Sequence, residues 1–337
     1  MASKNTNLHS AKKAKNDEFY TQLSDIEKEM AHYKDFFKGK IVYCNCDDAR
    51  ESNFFQYFTL NFEYLGLKKL ITTGYKENGK GVKLVYEGDK NGNFMADDEE
   101  IVVTELEGSG DFRSEECIEL LKECDVVVTN PPFSLFREYV AQLMKYGKKF
   151  LIIGNKNAIT YKDIFPYIKN NELWLGITNP DEYRLPNGEI TQSVKGLCRW
   201  FTNIPHNRRN AELDLYKKYS TDEYPKYDNY DAIEVSKVTD IPMDYEGAMG
   251  VPITFLDKYC PTQFEIIWTT DRGGDGMLDE LKLPHTRYDA PVINGKGLYK
   301  RIFIRRKIKN TNTSTDNGTE VANTIADNTS NNKIKTK

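Results

Sequence analysis

The sequence predicts an α/β fold in which a doubly wound, mostly parallel sheet is followed by an additional mixed or β-rich region. Short apolar segments such as "VVVT" (126–129) alternate with amphipathic segments between residues 40 and 155. That alternation is typical of parallel strands covered by helices on both faces. After about residue 175, prolines, tyrosines and short alternating segments such as "YPKYDNYDAIEV" replace it. The parallel sheet is therefore expected in the first half of the chain.

The individual elements are predicted from hydrophobic periodicity and from turn residues. Helix periodicity covers residues 17–37, with Ser24 as the expected N-cap and Glu27 three residues later in a capping-box pattern. Residues 82–106 are expected to form a β-hairpin that turns at "DKNGN". The other predicted elements are, in chain order, strand 40–48, helix 51–66, strand 67–75, helix 114–124, strand 125–130, helix 134–147 and strand 148–155.

Charge is distributed unevenly along the 337 residues. The net charge of −4 argues against a protein that coats nucleic acid indiscriminately. Residues 1–15 nevertheless hold four lysines and no acid, and residues 281–310 hold nine Lys or Arg and one Asp. A basic arm and a basic C-terminal segment on a mildly acidic body indicate a localised contact with a polyanion. The alternative is a solvated basic face without a partner.

The six cysteines and four histidines do not form a metal-site pattern. None of the cysteines is paired in CxxC spacing, so we expect no metal, and reduced thiols in a cytoplasmic protein. No run of about 18 apolar residues occurs in the sequence. The lysine-rich N-terminus also lacks the apolar part of a secretory signal, so we expect no membrane contact.

The segment Asn130-Pro131-Pro132-Phe133 directly follows a predicted buried strand. Prolines have no N–H, so the turn presents mainly carbonyl oxygens, beside the side-chain oxygen of Asn130. Two neighbouring acceptors can bind both hydrogens of a ring-bound amino group and favour a pyramidal nitrogen whose lone pair can attack an electrophile. Phe133 offers a flat face for stacking. A plain strand-to-loop turn is the alternative, although functional loops of open α/β sheets lie at such strand ends.

The segment "TNPPF" after an apolar strand resembles the catalytic motif of S-adenosylmethionine-dependent amino-methyltransferases, especially DNA adenine N6-methyltransferases, which have a Rossmann-like core. "EFYT" (18–21) is similar to their N-terminal cofactor motif, and "GDFR" (110–113) to the segment that binds the cofactor adenine. By this resemblance Asn130, Pro131, Pro132 and Phe133 are catalytic. The residues that it implies for cofactor binding are Phe19, Tyr20, Thr21, Asp47, Asp48, Asp111, Phe112 and Asn130.

The loop after the first strand departs from the usual family pattern. Most members have an acid followed by Pro-x-x-Gly-x-Gly, whereas residues 48–53 keep the acid and lack glycine. The segments "VYCNCDD", "GDFRS", "VVVTNPPFSLFREY", "YPKYDNYDAI" and "GVPITFLDKY" resemble the EcoRI-type modification methylases, which share this departure. The resemblance covers about residues 10–308. The expected ribose-binding carboxylate at the end of the second strand has no counterpart, since Glu77 comes several residues late.

The resemblance implies a site-specific enzyme that transfers methyl from S-adenosylmethionine to N6 of an adenine flipped out of double-stranded DNA, with GAATTC as the first expectation for the site. We expect a monomer, and a cognate restriction endonuclease of the same site is left open. Four parts are predicted. They are a flexible basic arm (1–15), a methyltransferase core (16–175), a target-recognition and DNA-binding region that could complete the core sheet (176–309), and a disordered tail rich in Asn and Thr (310–337).

Basic residues outside the core are candidate DNA contacts. They are Lys12, Lys13, Lys15, Arg208, Arg209, Arg305 and Arg306. Trp200 and Phe201 lie near the first arginine pair, and they are either core residues or a wedge for the gap that a flipped base leaves. "YKRIFIRRKIK" (299–309) is either a backbone-binding surface or a charged edge strand. Two alternative functions remain: an amino-methyltransferase of RNA or of protein glutamine, and a catalytically inactive DNA-binding relative.

Overall fold

The computed structural model describes residues 20–93, 95–180, 183–184, 190–191, 196–270, 281, 283 and 290–307. The described residues lie in one compact unit that ends at Lys307. Its strands are β1 (Tyr20–Thr21), β2 (Ile41–Asp47), β3 (Lys69–Gly74), β4 (Val82–Tyr86), β5 (Ile101–Glu105), β6 (Val126–Thr129), β7 (Lys149–Asn155), β8 (Trp174–Leu175), β9 (Tyr183–Arg184), β10 (Ile190–Thr191), β11 (Cys198–Thr202), β12 (Ile233–Glu234), β13 (Met249–Pro252), β14 (Phe264–Thr269), β15 (Val292–Ile293), β16 (Lys296–Gly297) and β17 (Arg301–Arg306).

The helices follow the amphipathic segments of the sequence. They are α1 (Leu23–Met30), α2 (Asn53–Leu60), α3 (Phe62–Leu65), α4 (Glu115–Glu123), α5 (Phe136–Lys145) and α6 (Phe165–Lys169). The predicted N-cap Ser24 is wrong, because α1 begins at Leu23 with Gln22 as its N-cap. Tyr20 and Thr21 are paired with β9 as a short strand. The chain therefore turns into the helix directly after Thr21, before it reaches Ser24. Within the described residues, no helix is long and apolar enough to cross a membrane.

The large sheet has eight strands in the order β5-β4-β3-β2-β6-β7-β11-β8. Its centre is parallel, since β2 pairs in parallel with β3 and β6, and β6 with β7. The predicted hairpin is confirmed as β4–β5, which extends one side with antiparallel strands. Strands β11 and β8 extend the other side, also antiparallel. The region after residue 175 thus contributes β11 to the large sheet.

Alternate residues of the central strands face two separate cores, which confirms that the sheet is doubly wound. Val127 packs with Phe136 of α5 in one core. Val126 and Val128 pack with Phe54 of α2 in the other. Successive side chains of a strand point to opposite faces, so a strand buried on both sides must be apolar throughout.

A second sheet, in the order β12-β13-β17-β14, forms most of the β-rich region. Strand β17 lies between β13 and β14 and is antiparallel to both. The alternative of a charged edge strand at 299–309 is therefore wrong, because β17 is central. Its residues Ile302, Phe303 and Ile304 are all buried, and the basic residues are confined to its two ends.

Trp200 and Phe201 of β11 are fully buried core residues. Trp200 packs edge-to-face on Phe54, with ring centroids 6.3 Å apart, and Phe201 packs on Phe136 at 5.0 Å. Of the two interpretations of this aromatic pair, the structure supports the core and not the exposed wedge.

Gly154 of β7 provides the space into which Phe136, the first residue of α5, packs. A Cβ at this position would overlap the Phe136 ring and lie 2.9 Å from Phe201 Cε2. Gly154→Ala is expected to lower the free energy of unfolding by about 1–3 kcal/mol, because overpacking a dense core forces side chains and backbone to move. Urea denaturation measures the change. Gly108→Ala is the matched control, because nothing lies within 4 Å of its Cβ position; equal losses for both variants would contradict the packing argument.

Candidate active site

The carboxyl ends of β2 and β6 form the centre of the candidate site. The chain passes from β2 to β3 on one side of the sheet and later places β6 on the other side. Such a switch point opens a crevice where α/β proteins bind ligands. Val42 is paired with Val126 and Tyr43 with Val127. Asn130 directly follows the last residue of β6, so it lies at the carboxyl end of these parallel strands, where β2 has a register irregularity between Cys44 and Asp47.

Asn45 of β2 fixes the strand end that carries Asn130. The Thr129 hydroxyl donates to the backbone carbonyl of Asn45, and the Tyr139 hydroxyl of α5 donates to the Asn45 side-chain oxygen. All three residues are buried, so these bonds are shielded from water and hold β2, β6 and α5 together. The segment between β6 and α5 is thus anchored at both of its ends.

The Asn-Pro-Pro-Phe segment leaves the sheet in an extended conformation and then turns. Pro131 is buried, whereas Asn130, Pro132 and Phe133 are partly exposed. The Pro132 carbonyl accepts from the backbone N–H of Leu135 at 3.0 Å, which closes the single 3₁₀ turn at Phe133–Leu135. The segment is therefore stiffened by the prolines on one side and by this turn on the other. Asn130 is partly exposed as a residue, although its side-chain oxygen is buried. Phe133 packs against the core that contains Val126 and Val128 and is partly exposed.

The N-terminal motif lies beside the same edge of the sheet. The side-chain amide of Asn53, at the start of α2, donates to the Thr21 carbonyl at 2.7 Å. Thr21 is 1% exposed, and its hydroxyl has no hydrogen-bond partner among the residues that the structure describes. Phe19 lies outside the described residues, and Tyr20 is described only as part of β1. A buried hydroxyl without a partner is costly unless a ligand satisfies it.

The two acids after β2 shape the loop that lacks the usual glycines. Asp47 accepts from the Ser52 hydroxyl at 2.8 Å and from the Asp48 N–H at 2.9 Å. Asp48 accepts from the N–H groups of Arg50 and Glu51 at 2.8 and 2.7 Å. Carboxylates that accept successive backbone N–H groups hold a chain in a tight turn. The acids therefore have a structural role at this loop, and their part in cofactor binding stays a prediction.

Three glycines that the sequence analysis did not select pack the neighbouring loops together. A Cβ on Gly110 would overlap the Gly74 carbonyl, and one on Gly81 would lie 2.8 Å from the Ser109 carbonyl. Gly110 also has φ +80°, which favours glycine. Gly74 ends β3, so the loop before Asp111 lies directly on this strand end. For Gly110, the signal available in the sequence was the segment Gly108-Ser109-Gly110 directly before Asp111.

Asp111 is held by its neighbour Arg113. The Arg113 guanidinium donates to both carboxylate oxygens of Asp111, at 2.9 and 2.6 Å. These hydrogen bonds keep the pKa of Asp111 below its usual value, so the carboxylate is charged and can accept further bonds. Phe112 is 5% exposed and packs edge-to-face on Tyr139 at 4.9 Å. Most of its ring therefore contacts the core, which limits the surface that it can offer to a ligand.

The candidate DNA contacts have varied surroundings. Lys12, Lys13 and Lys15 lie outside the described residues. Arg208 donates to the Ile177 carbonyl at 2.6 Å, and the Arg209 guanidinium stacks on the Trp174 ring at 3.5 Å. Arg305 lies 3.9 Å from Glu265, and Arg306 is the last residue of β17 and partly exposed. Arg208 and Arg209 are thus attached to the edge of the large sheet, and Arg305 and Arg306 to the end of the small sheet.

Glu29 is a buried acid that the sequence analysis did not identify. It is 0% exposed and accepts from the Tyr33 hydroxyl at 2.7 Å and from the N–H groups of Ile177 and Thr178 at 2.9 and 2.6 Å. The Thr178 hydroxyl donates to it as well, at 2.6 Å. Its position between Ile26 and Met30, on the apolar face of α1, was the available signal.

Comparison with known proteins gives consistent similarities over nearly the whole chain. The family described as "Adenine-specific methyltransferase EcoRI" matches residues 7–307. The type II methyltransferase M.EcoRI of Escherichia coli is 50% identical over 336 residues, which are 91% of this chain and 99% of that protein. M.MgeORF184P of Mycoplasma genitalium is 39% identical, covering 88% of this chain and 98% of the relative. M.MpnI of Mycoplasma pneumoniae is 40% identical, covering 88% and 97%.

Proposed function

The chain belongs to the family of EcoRI adenine-specific methyltransferases, and from that premise we propose how its strand-end site transfers a methyl group. It is a site-specific DNA methyltransferase that acts on adenine and uses S-adenosylmethionine as the donor. The single observation that supports our assignment of the site is the position of Asn130 at the end of β6, at the switch point of the sheet and between anchored neighbours.

The residues around the switch point fit S-adenosylmethionine. We propose that the buried Thr21 hydroxyl binds the methionine end of the cofactor and that the Asp111 carboxylate accepts from its adenine amino group. Asp47, Asp48, Phe112 and the backbone of 19–21 complete this site in the proposal. The bound cofactor supplies an electrophilic methyl group on a positively charged sulfur. In the residues that the structure describes, no group of three or more His, Cys, Asp or Glu side chains is placed to hold a metal ion.

Asn130 and Pro131 are the proposed acceptors for the amino group of the target adenine. Their side-chain and backbone oxygens draw on the two N–H hydrogens, so that the nitrogen becomes pyramidal and its lone pair points at the methyl group. Pro132 keeps the turn extended, and Phe133 stacks on the adenine ring. The protein contributes position and electrostatics and needs no strong base, because the nitrogen loses its proton after it has become cationic.

The target adenine must leave the DNA helix to reach these groups. Inside a duplex its amino group is paired and stacked, so extrusion costs a few kcal/mol, which contacts with the DNA backbone and the pocket offset. We propose that residues 176–309 recognise the target, with the basic arm and the basic residues at 208–209 and 305–306 as DNA contacts. The boundary at residue 175 separates two roles in this proposal and not two folding units, because β11 follows this boundary and still belongs to the large sheet.

We further propose a cytoplasmic monomer that protects the site of a cognate restriction endonuclease. One chain contributes all the elements of the strand-end site described above, so a second copy is not required. The relatives named above are type II methyltransferases, which favours DNA over the alternatives of RNA or protein glutamine. GAATTC is the proposed recognition sequence.

Expression in a host without DNA methylation, followed by modification-sensitive sequencing, tests the proposed function. The expected result is N6-methyladenine at one position of one sequence motif, GAATTC, in the host genome. An Asn130→Ala chain expressed in parallel is the control for background modification. Methylation of cytosine, or of no base with a folded chain and ample cofactor, would contradict the proposal. Another adenine-containing motif would overturn the proposed site alone.

Thr21→Val is expected to weaken cofactor binding and leave stability almost unchanged. The substitution keeps the shape and removes a hydroxyl that has no partner among the described residues, so the free protein loses little. If the hydroxyl bonds to the cofactor, the Kd should rise by about tenfold, the equivalent of one hydrogen bond to a charged group. Calorimetric titration with S-adenosylmethionine measures the Kd. Thr59→Val is the control, because Thr59 is partly exposed and its hydroxyl donates to the carbonyls of Phe55 and Gln56 in its own helix. An equal Kd for wild type and Thr21→Val would contradict the assignment.

A further inference from the structure

A cavity of about 530 Å³ lies between the end of α6, the segment after β11 and the small sheet. Most of its lining side chains are polar or basic. They are Lys169, Asn170, Asn171, Arg209, Asn210 and Thr262, with Glu265 and Lys307. The volume is within the range of pockets that bind small ligands, about 300–1,000 Å³.

Arg209 is one of the three cations that line this cavity. Its guanidinium stacks on the Trp174 ring at 3.5 Å, and its Nε and Nη2 atoms are buried without a hydrogen-bond partner in the part of the chain that the structure describes. Burial lowers the pKa of Arg209 from its usual value, although a guanidinium remains charged at neutral pH. Two buried N–H donors of a charged group are costly unless an anion accepts from them.

The charges around Arg209 are mainly positive. Lys169 and Lys307 also line the cavity, and the Lys307 ammonium donates to a neutral group, the Pro261 carbonyl, at 2.8 Å. Glu265 is the acid in the lining, and it lies 3.9 Å from Arg305. The three cations thus outnumber the one carboxylate, whose charge is already partly balanced. The asparagine amides of the lining add neutral donors of the kind that bind oxyanions.

The cavity is separate from the strand-end site. Trp174 lies on β8, the outermost strand on this side, whereas Asn130 follows β6. Strands β7 and β11 lie between them, so at ~4.8 Å per strand the two strands are about 14 Å apart.

We propose that this cavity binds a phosphate group through the Arg209 guanidinium, with Lys169 and Lys307 as supporting cations. A planar guanidinium presents paired donors that match two oxygens of a phosphate. The phosphate comes either from the DNA backbone or from a free phosphate compound. The proposal does not depend on the proposed reaction, because binding of free phosphate is measured without methyl transfer.

Two variants and one control test the proposal. Arg209→Met removes the charge and keeps an apolar contact with Trp174. Asn210→Asp adds a negative charge to an exposed lining residue without removing any packing, so it carries the test if Arg209→Met does not fold. Lys258→Met is the control, because it removes one positive charge just as Arg209→Met does. Lys258 is exposed and neighbours Tyr259 in sequence, but it does not line the cavity.

Thermal unfolding with inorganic phosphate or pyrophosphate, against chloride at equal ionic strength, tests free phosphate. We expect wild type and Lys258→Met to gain a few degrees in Tm and the two cavity variants to gain none. DNA affinity measured across salt concentrations tests the backbone source. There, Arg209→Met is expected to reduce the slope of log K against log salt by about 0.9, one phosphate contact.

A selective loss in either experiment supports the proposal and identifies the source of the phosphate. The proposal is overturned if both cavity variants match wild type in both experiments. It is also overturned if Lys258→Met shows the same losses as the cavity variants, because the effect would then come from net charge alone.

Discussion

Methyl transfer by Asn130→Ala is expected to fall by at least about 10²–10³-fold, with folding and DNA affinity close to those of wild type. The alanine removes one of the two proposed acceptors of the target amino group, and the Pro131 carbonyl alone cannot polarise both hydrogens. The hydrogen bonds from the Thr129 and Tyr139 hydroxyls to Asn45, which hold the strand end in place, do not involve the Asn130 side chain. Single-turnover methylation of a GAATTC duplex with labelled cofactor measures the rate, and fluorescence anisotropy measures DNA affinity.

A conservative variant separates the acceptor role from a structural one. Asn130→Asp keeps an oxygen in the same position, so it should retain more activity than Asn130→Ala. Ser134→Ala, on an exposed residue of the following turn, is the control for local disturbance and should transfer at the wild-type rate. If Asn130→Ala methylates at that rate too, the role assigned to Asn130 is wrong.

Glu29→Ala is expected to lower the free energy of unfolding by about 3 kcal/mol or more, since each buried donor left without a partner costs about 1–3 kcal/mol. The carboxylate accepts four hydrogen bonds, three of them from Ile177 and Thr178. It therefore fixes α1 to the chain that follows β8. That chain continues to β9, which pairs with Tyr20–Thr21 of the N-terminal motif. The KM for S-adenosylmethionine should rise as well, because Thr21 loses this support.

Urea denaturation and cofactor-dependent kinetics measure the two effects of Glu29→Ala. Glu27→Ala is the matched control, because Glu27 lies on the same helix and is exposed. Glu29→Gln should lose less stability than Glu29→Ala, since it keeps one acceptor oxygen for the backbone N–H groups. Equal stability of the Glu29→Ala and Glu27→Ala variants would show that the buried contacts do not hold the segment in place.

The parallel centre of the sheet and the position of Asn130 could be predicted because both follow from local sequence. Valines 126–128 must lie in a strand covered on both faces, since each successive side chain faces a different core. A strand of this kind in an α/β fold ends at the edge of the sheet where ligands bind. Asn130 follows Val128 after a single residue, Thr129, so it is expected at that edge. The helices before and after it were likewise recognisable from their apolar faces, at residues 114–124 and 134–147 of the sequence.

The strand partners of β8 and β11 and the central position of β17 could not be predicted. The alternation of basic and apolar residues in 299–309 is compatible with an edge strand as well as with a central one. Only the pairing with β13 and β14 decides between them, and these strands precede β17 by dozens of residues. The same holds for β11, whose partner β7 lies in the first half of the chain. Pairing depends on the burial of whole faces, which short sequence windows do not contain.

The sequence by itself determined most strands and helices between residues 40 and 155, which of their faces are apolar, and that the Asn-Pro-Pro-Phe motif follows a buried strand. The tertiary structure alone decided which distant groups meet. It brings Asn53 to Thr21, the Glu29 carboxylate to Ile177 and Thr178, and the Arg209 guanidinium to Trp174. The physical reason is that hydrophobic periodicity is a local property of the chain. A buried polar group, in contrast, is satisfied by whichever partner the packed fold places beside it.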